Sequence, residues 1–292
     1  FGEPAAQWRG PEKLLAIVGR LPEARGQRRV LDDHRRVVDQ RGRGKMIGKT
    51  PFDSGYHQDR VPVREADVVE GHAVRQLYLT AGIADVYLET GEQALLDVLD
   101  RLWRDMTAHK THITAGFGAR HYGESFGDTY ELPSDYCYCE TCAAIANMMW
   151  NWRMLVITGK ARYADLLERS LYNGFLSGIS LDGQRYFYVN PLLSRGGIER
   201  PEWYGCACCP PNVMRQIAML AHYVATTGKD GLQIHQYIST EIETDLNDDR
   251  PVKVRLETNY PWEGQAKLTI EETDESPWEL ALRIPGWCRE AT

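Results

Sequence analysis

The fold is decided by residues 141–159, TCAAIANMMWNWRMLVITG, a long apolar stretch that ends in Thr-Gly. Its apolar periodicity predicts a helix over residues 141–157, with Gly159 beyond its last turn as the C-cap. The apolar pattern resumes at once and predicts a second helix over residues 162–176. Two consecutive helices joined by a short connection indicate a helical hairpin.

The glycine that ends this helix belongs to a spaced series. Gly26, Gly91, Gly159 and Gly228 each follow or join a helical stretch, at separations of 65, 68 and 69 residues. Two helices per 65–70 residues exceed the length of the common solenoid repeats. The spacing favours hairpins arranged in a ring, and an open solenoid of the same hairpins is the alternative. We therefore expect a mainly α fold, with a partial (α/α)6 toroid over residues 1–229.

After residue 229 the pattern changes from helical periodicity to alternation. Four stretches alternate apolar and polar residues with period two, which is typical of strands: residues 232–238, 252–258, 266–270 and 280–284. They predict the start of a β-sandwich domain over residues 230–292.

Two features interrupt the helices. An Asp-Gly turn and an aromatic run predict a β-hairpin at 181–193, and the Gly-rich stretch 110–135 predicts a long functional loop.

Composition excludes several classes of protein. The 292 residues are 43% hydrophobic and 26% charged, which is typical of a globular protein and not of a disordered chain. Lys and Arg number 34 against 41 Asp and Glu, a net charge of −7 without a basic block, so we expect no nucleic-acid partner. No apolar run is long enough for a bilayer, so no membrane protein is expected. The chain starts at Phe1 and is interpreted as a fragment. We expect a cytoplasmic location. The sequence leaves open whether the protein forms a homodimer.

Six of the seven cysteines fall in two groups: Cys137, Cys139 and Cys142, then Cys206, Cys208 and Cys209. Close-set thiols in a large domain indicate metal binding or catalysis more often than disulfides. Each group precedes an apolar helix, and helix N-termini stabilise negative charge and lower the pKa of a thiol. Converging thiolates and a carboxylate predict a tetrahedral zinc site. The alternative is that these cysteines are small buried apolar residues.

Six motifs, in the same order, resemble glycoside hydrolase family 127, the β-L-arabinofuranosidases and their relatives. The motifs are GHAVR (71–75), YGESF (122–126), ETCA (140–143), ERSLYNG (168–174), YVNP (188–191) and CCPPN (208–212). The resemblance covers about residues 45–230. The flanking residues match only as toroid helices and as the beginning of the family's sandwich. It therefore implies that the chain lacks the first part of the barrel and most of the sandwich.

The resemblance also implies a site and an activity. The implied Zn²⁺ ligands are Glu140, Cys142, Cys208 and Cys209. The implied substrate contacts are His72, Glu168 and Tyr188. Cys208 is then also the nucleophile, and Glu124 is the general acid/base. The expected function is retaining hydrolysis that releases L-arabinose from non-reducing β-L-arabinofuranosides, with a small carbohydrate as the partner.

Without the resemblance, the residues themselves leave other readings open. His72 on an apolar helix face would by default be a core histidine, Glu168 a solvated helix residue and Tyr188 a residue of sheet packing. Glu124 stands apart, because long Gly-rich loops often hold functional carboxylates. The additional thiols, Cys137, Cys139 and Cys206, could compete for metal or oxidise.

Two rival functions also remain. In the first, the chain is an inverting glycosidase or a lyase that uses Glu124 with Asp128 or Glu131, while the cysteines hold a structural zinc. In the second, it is a non-catalytic carbohydrate-binding or assembly protein whose zinc only holds two helices together. Product stereochemistry separates the first rival from a covalent mechanism, and substitution of Glu124 separates the second.

Overall fold

The computed structural model describes residues 25–43, 50–203, 205–206, 208–228, 231–246, 250–274 and 276–292. The helices are α1 (Arg25–Gln40), α2 (Ala73–Thr90), α3 (Gln93–His109), α4 (Thr141–Thr158), α5 (Ala161–Arg169) and α6 (Cys209–Met219). The strands are β1 (Ala225–Thr227), β2 (Gly231–Ile234), β3 (Thr240–Asp245), β4 (Pro251–Thr258), β5 (Ala266–Glu272) and β6 (Glu279–Leu282). This order of elements confirms helices followed by strands; closure into a toroid stays a prediction.

The chain divides into two compact units. The helical unit comprises, among the described residues, those of 25–154 and 166–217. The strand unit comprises, among the described residues, 155–165 and 218–292. The domain boundary predicted between residues 229 and 230 stays a prediction.

Helix α4, the stretch that opened the sequence analysis, forms much of the core of the helical unit. Ile145, Met148 and Trp150 are fully buried although they point in different directions around the helix. A helix that is apolar on nearly all sides is stable only when other elements surround it. Each such side chain contributes about 1.5–3 kcal/mol on burial, which stabilises this segment as a buried helix.

A chain of buried polar groups crosses this core. Asn151 accepts a hydrogen bond from Trp103 Nε1 at 2.9 Å and donates to Asn147 Oδ1 at 2.8 Å. Asn147 in turn donates to Ser170 Oγ at 2.8 Å, and Ser170 donates to the carbonyl of Ala115 at 3.2 Å. Both asparagines are fully buried. The polar chain therefore connects α3, α4, the turn that follows α5 and the loop after α3.

Two of the predicted glycine caps are confirmed. Gly91 and Gly159 adopt a left-handed conformation with φ of 66°, and their N–H groups bond the carbonyls of Tyr87 at 2.8 Å and Leu155 at 2.7 Å. The other two do not end helices. Gly26 lies in the first turn of α1, and Gly228 follows strand β1, which pairs antiparallel with β2. The β-branched threonines of β1 are buried in that pairing, so strand packing overrides the resemblance to a cap.

Two other predicted elements differ from the structure. The helix predicted over 162–176 is α5 followed by a π-helical turn, Ser170–Phe175. The hairpin predicted over 181–193 forms its turn and a single bridge between Ile179 and Tyr186, then leaves its partner. The chain instead bonds the start of α4, where Thr141 N–H donates to the Tyr188 carbonyl at 3.0 Å. Phe187 N–H still donates to the Gly178 carbonyl at 2.7 Å, so the hairpin prediction was wrong only beyond residue 187, and the change of partner brings Tyr188 to the N-terminus of α4.

The strand unit contains two three-stranded sheets. One has the order β1-β2-β6, with β2 and β6 parallel, and the other is the antiparallel sheet β3-β4-β5. The buried cluster of this unit consists of Leu232, Ile234, Leu246, Val252, Val254 and Leu256. All four predicted alternating stretches contain a strand; β1 and β3 were not predicted. Among the described residues, no helix combines the length and the apolar character that crossing a bilayer requires.

His235 gives the strand unit an expected pH dependence. Its ring is buried, with Nε2 at 2.7 Å from Thr226 Oγ1, and burial together with the charge of Arg283 lowers its pKa from 6.5 to about 4. Protonation of His235 is therefore less favourable in the folded state than in the unfolded state. The contribution of His235 to the free energy of unfolding is fully present above pH 6.5. It is lost between pH 6.5 and 4, by about 3 kcal/mol in all.

The matched variants are His235→Gln and His222→Gln. His222 is exposed in the same unit. We expect the free energy of unfolding, measured in urea, to fall more steeply from pH 7 to 4.5 for the wild type and for His222→Gln than for His235→Gln. Equal slopes for all three proteins would contradict the assignment.

Candidate functional site

Four side chains of metal-binding type meet at the N-termini of α4 and α6. Glu140 immediately precedes α4, and Cys142 is the second residue of that helix. Cys208 immediately precedes α6, and Cys209 is its first residue. One ligand atom from each lies within 4.8 Å of those from the other three. The predicted zinc ligands are thus brought together, at the helix ends where anions are stabilised.

The distances fit a tetrahedral ion. Cys142 Sγ lies 3.3 Å from Cys209 Sγ and 3.4 Å from Cys208 Sγ, too far for a disulfide bond of about 2.05 Å. Glu140 Oε1 lies 3.7 Å from Cys209 Sγ and 3.9 Å from Cys208 Sγ. Zn–S bonds of about 2.3 Å in a tetrahedron separate sulfurs by about 3.8 Å. Small outward movements would therefore produce a zinc-binding geometry.

The electrostatics of the cluster also call for a cation. Burial, reinforced by the negative charge of Cys142 and Glu124, raises the pKa of Glu140 to about 9. Burial and Cys142 likewise raise the pKa of Cys208 to about 12, whereas a hydrogen bond from Cys209 lowers that of Cys142 to about 6. Glu140 Oε2 is buried without a protein hydrogen-bond partner. A buried, unpartnered carboxylate oxygen beside three thiols is suited to Zn²⁺.

Two tyrosines connect the cluster to Glu124. The side chain of Tyr188 hydrogen-bonds Cys208, which opposes the rise in the pKa of that thiol. Its ring lies 6.1 Å from that of Tyr138, and burial together with nearby Glu124 raises the pKa of the Tyr138 hydroxyl. Tyr188 therefore contacts the cluster and does not serve only in sheet packing. The role of Tyr138 was not predicted.

Glu124 is presented by a strained turn. It ends the 3₁₀ turn Tyr122–Glu124 with φ of 50°, an uncommon conformation for a residue with a side chain. Gly123 precedes it with φ of 71°, and a Cβ there would lie 2.8 Å from the Tyr56 ring. Ser125 then bridges the backbone of His72. Strained backbone of this kind is frequent at functional sites.

His72 is not a satisfied core histidine. Its Nε2 lies 3.1 Å from Glu124 Oε2, and its Nδ1 is buried without a protein hydrogen-bond partner. Burial and the nearby charge of Arg75 lower its pKa, so the ring is neutral at pH 7 and donates from Nε2 to the carboxylate. His72 therefore orients Glu124.

The carboxylates of the rival mechanism, Asp128 and Glu131, form ion pairs with Arg120. Arg120 Nε donates to Glu131 Oε1 at 2.7 Å, and Arg120 Nη2 donates to Asp128 Oδ2 at 2.7 Å. The hydrogen bond from Arg120 lowers the pKa of Glu131. These two carboxylates stabilise the loop by ion pairs, an arrangement that does not favour either as the partner of Glu124.

A cavity of about 530 Å³ is lined mainly by residues of α1 and α2. Its polar lining includes His34, Arg41, His57, Arg75 and Tyr78. Tyr78 is linked to the cluster through Asn212, whose Nδ2 donates to the tyrosine oxygen at 2.9 Å and whose side chain also bonds Cys142. Neither Tyr78 nor Asn212 was singled out as a side chain that supports the site.

The remaining predicted residues fall in different places. Glu168 is 5% exposed in α5, so it is not a solvated helix residue. Cys206 is exposed, and Cys137 and Cys139 are buried with His112 in a second cluster.

Comparison with known proteins matches this architecture to one family. A family model described as the GH127 catalytic domain of β-L-arabinofuranosidase matches residues 13–222, and one described as the GH127 middle domain matches residues 231–292. The chain belongs to glycoside hydrolase family 127. The resemblance inferred from six short motifs is thus confirmed.

The chain is also similar to individual GH127 proteins. A non-reducing end β-L-arabinofuranosidase of Bifidobacterium longum subsp. longum is 36% identical over 96% of this chain. A crystal structure of a GH127 β-L-arabinofuranosidase from Geobacillus stearothermophilus T6 matches 99% of the chain with 38% identity and a TM-score of 0.85. A further GH127 β-arabinofuranosidase structure matches 94% with 42% identity and a TM-score of 0.85. The chain spans about half the length of these relatives, 42–50%.

Proposed function

We propose that the protein is a retaining glycoside hydrolase that releases L-arabinose from non-reducing β-L-arabinofuranosides. The observation that carries this proposal is the metal-type cluster that contains Cys208, with Glu124 close enough for its charge to raise the pKa of Glu140. A nucleophile and an acid/base are the two groups that a retaining glycosidase requires. The β-L-arabinofuranosidase relatives support the substrate class.

We also propose that the helical unit is part of an (α/α)6 toroid, as its helical hairpin α2–α3 suggests.

The cluster would hold Zn²⁺ through Glu140, Cys142, Cys208 and Cys209. When bound, the ion would supply the positive charge that keeps these thiols ionised near neutral pH. Without that charge Cys208 holds its proton, because burial and Cys142 raise its pKa to about 12. The hydroxyl of Tyr188 supplies a further hydrogen bond to the sulfur.

The residues then divide the reaction into two steps. In the first, Cys208 Sγ bonds the anomeric carbon while the glycosidic C–O bond breaks, and Glu124 donates its proton to the departing oxygen. In the second, Glu124 takes a proton from water, the water oxygen bonds the anomeric carbon, and the C–S bond breaks. Two displacements at one carbon retain its configuration. His72 Nε2, 3.1 Å from Glu124 Oε2, holds the Glu124 side chain in position by a hydrogen bond.

The test is the configuration of the first product. With a synthetic β-L-arabinofuranoside, proton NMR during the first turnovers should show β-L-arabinofuranose before mutarotation. Initial release of the α-anomer would establish the inverting rival. Absence of release by protein that carries zinc would favour the binding-only rival.

Metal content gives a separate prediction. Cys142→Ser should lose one equivalent of zinc, since serine is a poor ligand and the other three donors are then uncompensated. The melting temperature should fall with it, because two helix ends lose their common ligand. Cys288→Ser, which alters a thiol bonded only to the Glu290 carbonyl among the described hydrogen bonds, is the matched control. Unchanged zinc in Cys142→Ser by plasma mass spectrometry would contradict the ligand assignment.

A further inference from the structure

A second group of soft ligands lies outside the proposed catalytic centre. It consists of His112, Cys137 and Cys139, whose ligand atoms lie within 4.8 Å of one another. All three residues are buried, with exposures of 2%, 0% and 2%. Cysteine alone would suit an apolar core, but a histidine in the same place requires hydrogen-bond partners.

The His112 ring makes no hydrogen bond of standard geometry. Both Nδ1 and Nε2 are buried without one, while the carbonyls of Gly116 and Pro133 lie near enough to oppose part of the fall in the pKa of the ring. Burial lowers the pKa of His112, so the ring is neutral at pH 7 and one of its nitrogens presents a free lone pair. A buried imidazole with an unused lone pair next to two thiols is the arrangement that soft metal ions bind.

The backbone holds the three side chains in place. His112 and Gly116 close a tight turn, in which Ala115 N–H donates to the His112 carbonyl at 2.8 Å and His112 N–H donates to the Gly116 carbonyl at 3.2 Å. A Cβ at Gly116 would lie 2.9 Å from Cys139 Sγ, so the absence of a side chain there makes room for the thiol. Cys139 itself has φ of 39° and is fixed by a hydrogen bond from its N–H to the Gly118 carbonyl at 2.9 Å.

We propose that His112, Cys137 and Cys139 form a second metal site, which binds Zn²⁺ with two thiolates and one imidazole. On binding, the two thiols release their protons to solvent and the neutral ring contributes one lone pair, so the complex carries no net charge in its buried position. Three protein donors leave one position of the tetrahedron for water or a main-chain carbonyl. Because Cys139 is followed directly by Glu140, an ion here also fixes the segment that presents the first ligand of the other cluster.

The test counts zinc in variants of the two sites. After dialysis under reducing conditions, the wild type and Cys288→Ala should each hold about two zinc ions per chain, and Cys137→Ala about one. Cys142→Ser should also hold about one, and the double variant almost none. Equal zinc in Cys137→Ala and the wild type would overturn the second site, whereas equal zinc in Cys142→Ser and the wild type would overturn only the first.

A measurement on the wild type covers the case in which Cys137→Ala fails to fold. Protein reconstituted with ¹¹³Cd²⁺ should give two resonances, because sulfur-rich sites with different third and fourth donors shield cadmium differently. One resonance, with one cadmium per chain, would overturn the proposal.

Discussion

Cys208→Ser is expected to abolish turnover while the protein keeps its fold. The loss should be about 10⁴-fold or more in kcat/KM, the scale on which removal of a nucleophile acts. A serine hydroxyl is hardly ionised at neutral pH, and the local environment already opposes ionisation, since burial and Cys142 raise the pKa of the thiol at this position to about 12. Only the change of sulfur to oxygen is involved, so shape is nearly conserved.

Metal content separates the two roles of Cys208. Three ligands, Glu140, Cys142 and Cys209, remain in Cys208→Ser, so we expect part of its zinc to be retained although activity is lost. Cys206→Ser is the matched control, because that thiol is two residues away and exposed. A Cys208→Ser protein with more than a tenth of wild-type activity would show that the cysteine is a ligand only.

Glu124→Gln is expected to accumulate a covalent adduct on Cys208. The amide cannot donate a proton to the leaving oxygen or take one from water, so both steps slow, by about 10²–10⁴-fold for natural leaving groups. An aryl glycoside with an acidic phenol needs little protonation, so its first step should stay fast while the second does not. The thioglycoside then builds up, as a pentosyl mass increase on the peptide that contains Cys208.

The control for this experiment is Asp128→Asn. Asp128 lies in the same loop, pairs with Arg120 and has a side chain that is 87% exposed. It should turn over both substrates nearly as the wild type does and leave no adduct. A pentosyl label on a carboxylate peptide of Glu124→Gln would instead indicate two-carboxylate chemistry, with the cysteines as zinc ligands alone.

Much of the cluster was predictable because its residues are close in the sequence. Cysteines at the start of an apolar helix necessarily lie at a helix N-terminus, so Cys142 and Cys209 could be placed without tertiary information. That α4 and α6 bring these ends together was a hypothesis from the two cysteine groups, and the family resemblance supported it. The helices and most strands followed from periodicity, whereas β3 did not, since its sequence TEIETD has one apolar residue.

The missed residues depend on long-range contacts. Tyr138 joins the site because the segment around Tyr188 leaves its own hairpin for the start of α4, and neither event has a local signal. Tyr78 and Asn212 meet across 134 residues of chain. Arg120 likewise forms ion pairs with two carboxylates of the loop, Asp128 and Glu131. Such pairs follow no periodic pattern or fixed spacing in the sequence, so they could not be predicted from it.

The buried polar chain through Asn147 and Asn151 has a consequence for the site at the end of the same helix. Asn147 lies five residues beyond Cys142, about 7.5 Å along the axis, and a slip of α4 by one residue would rotate every side chain by about 100°. Apolar contacts tolerate such a slip better than hydrogen bonds do, because dispersion has little directionality. The asparagines therefore specify the rotational register of α4. The position of the Cys142 sulfur is set from the middle of the helix as well as from its end.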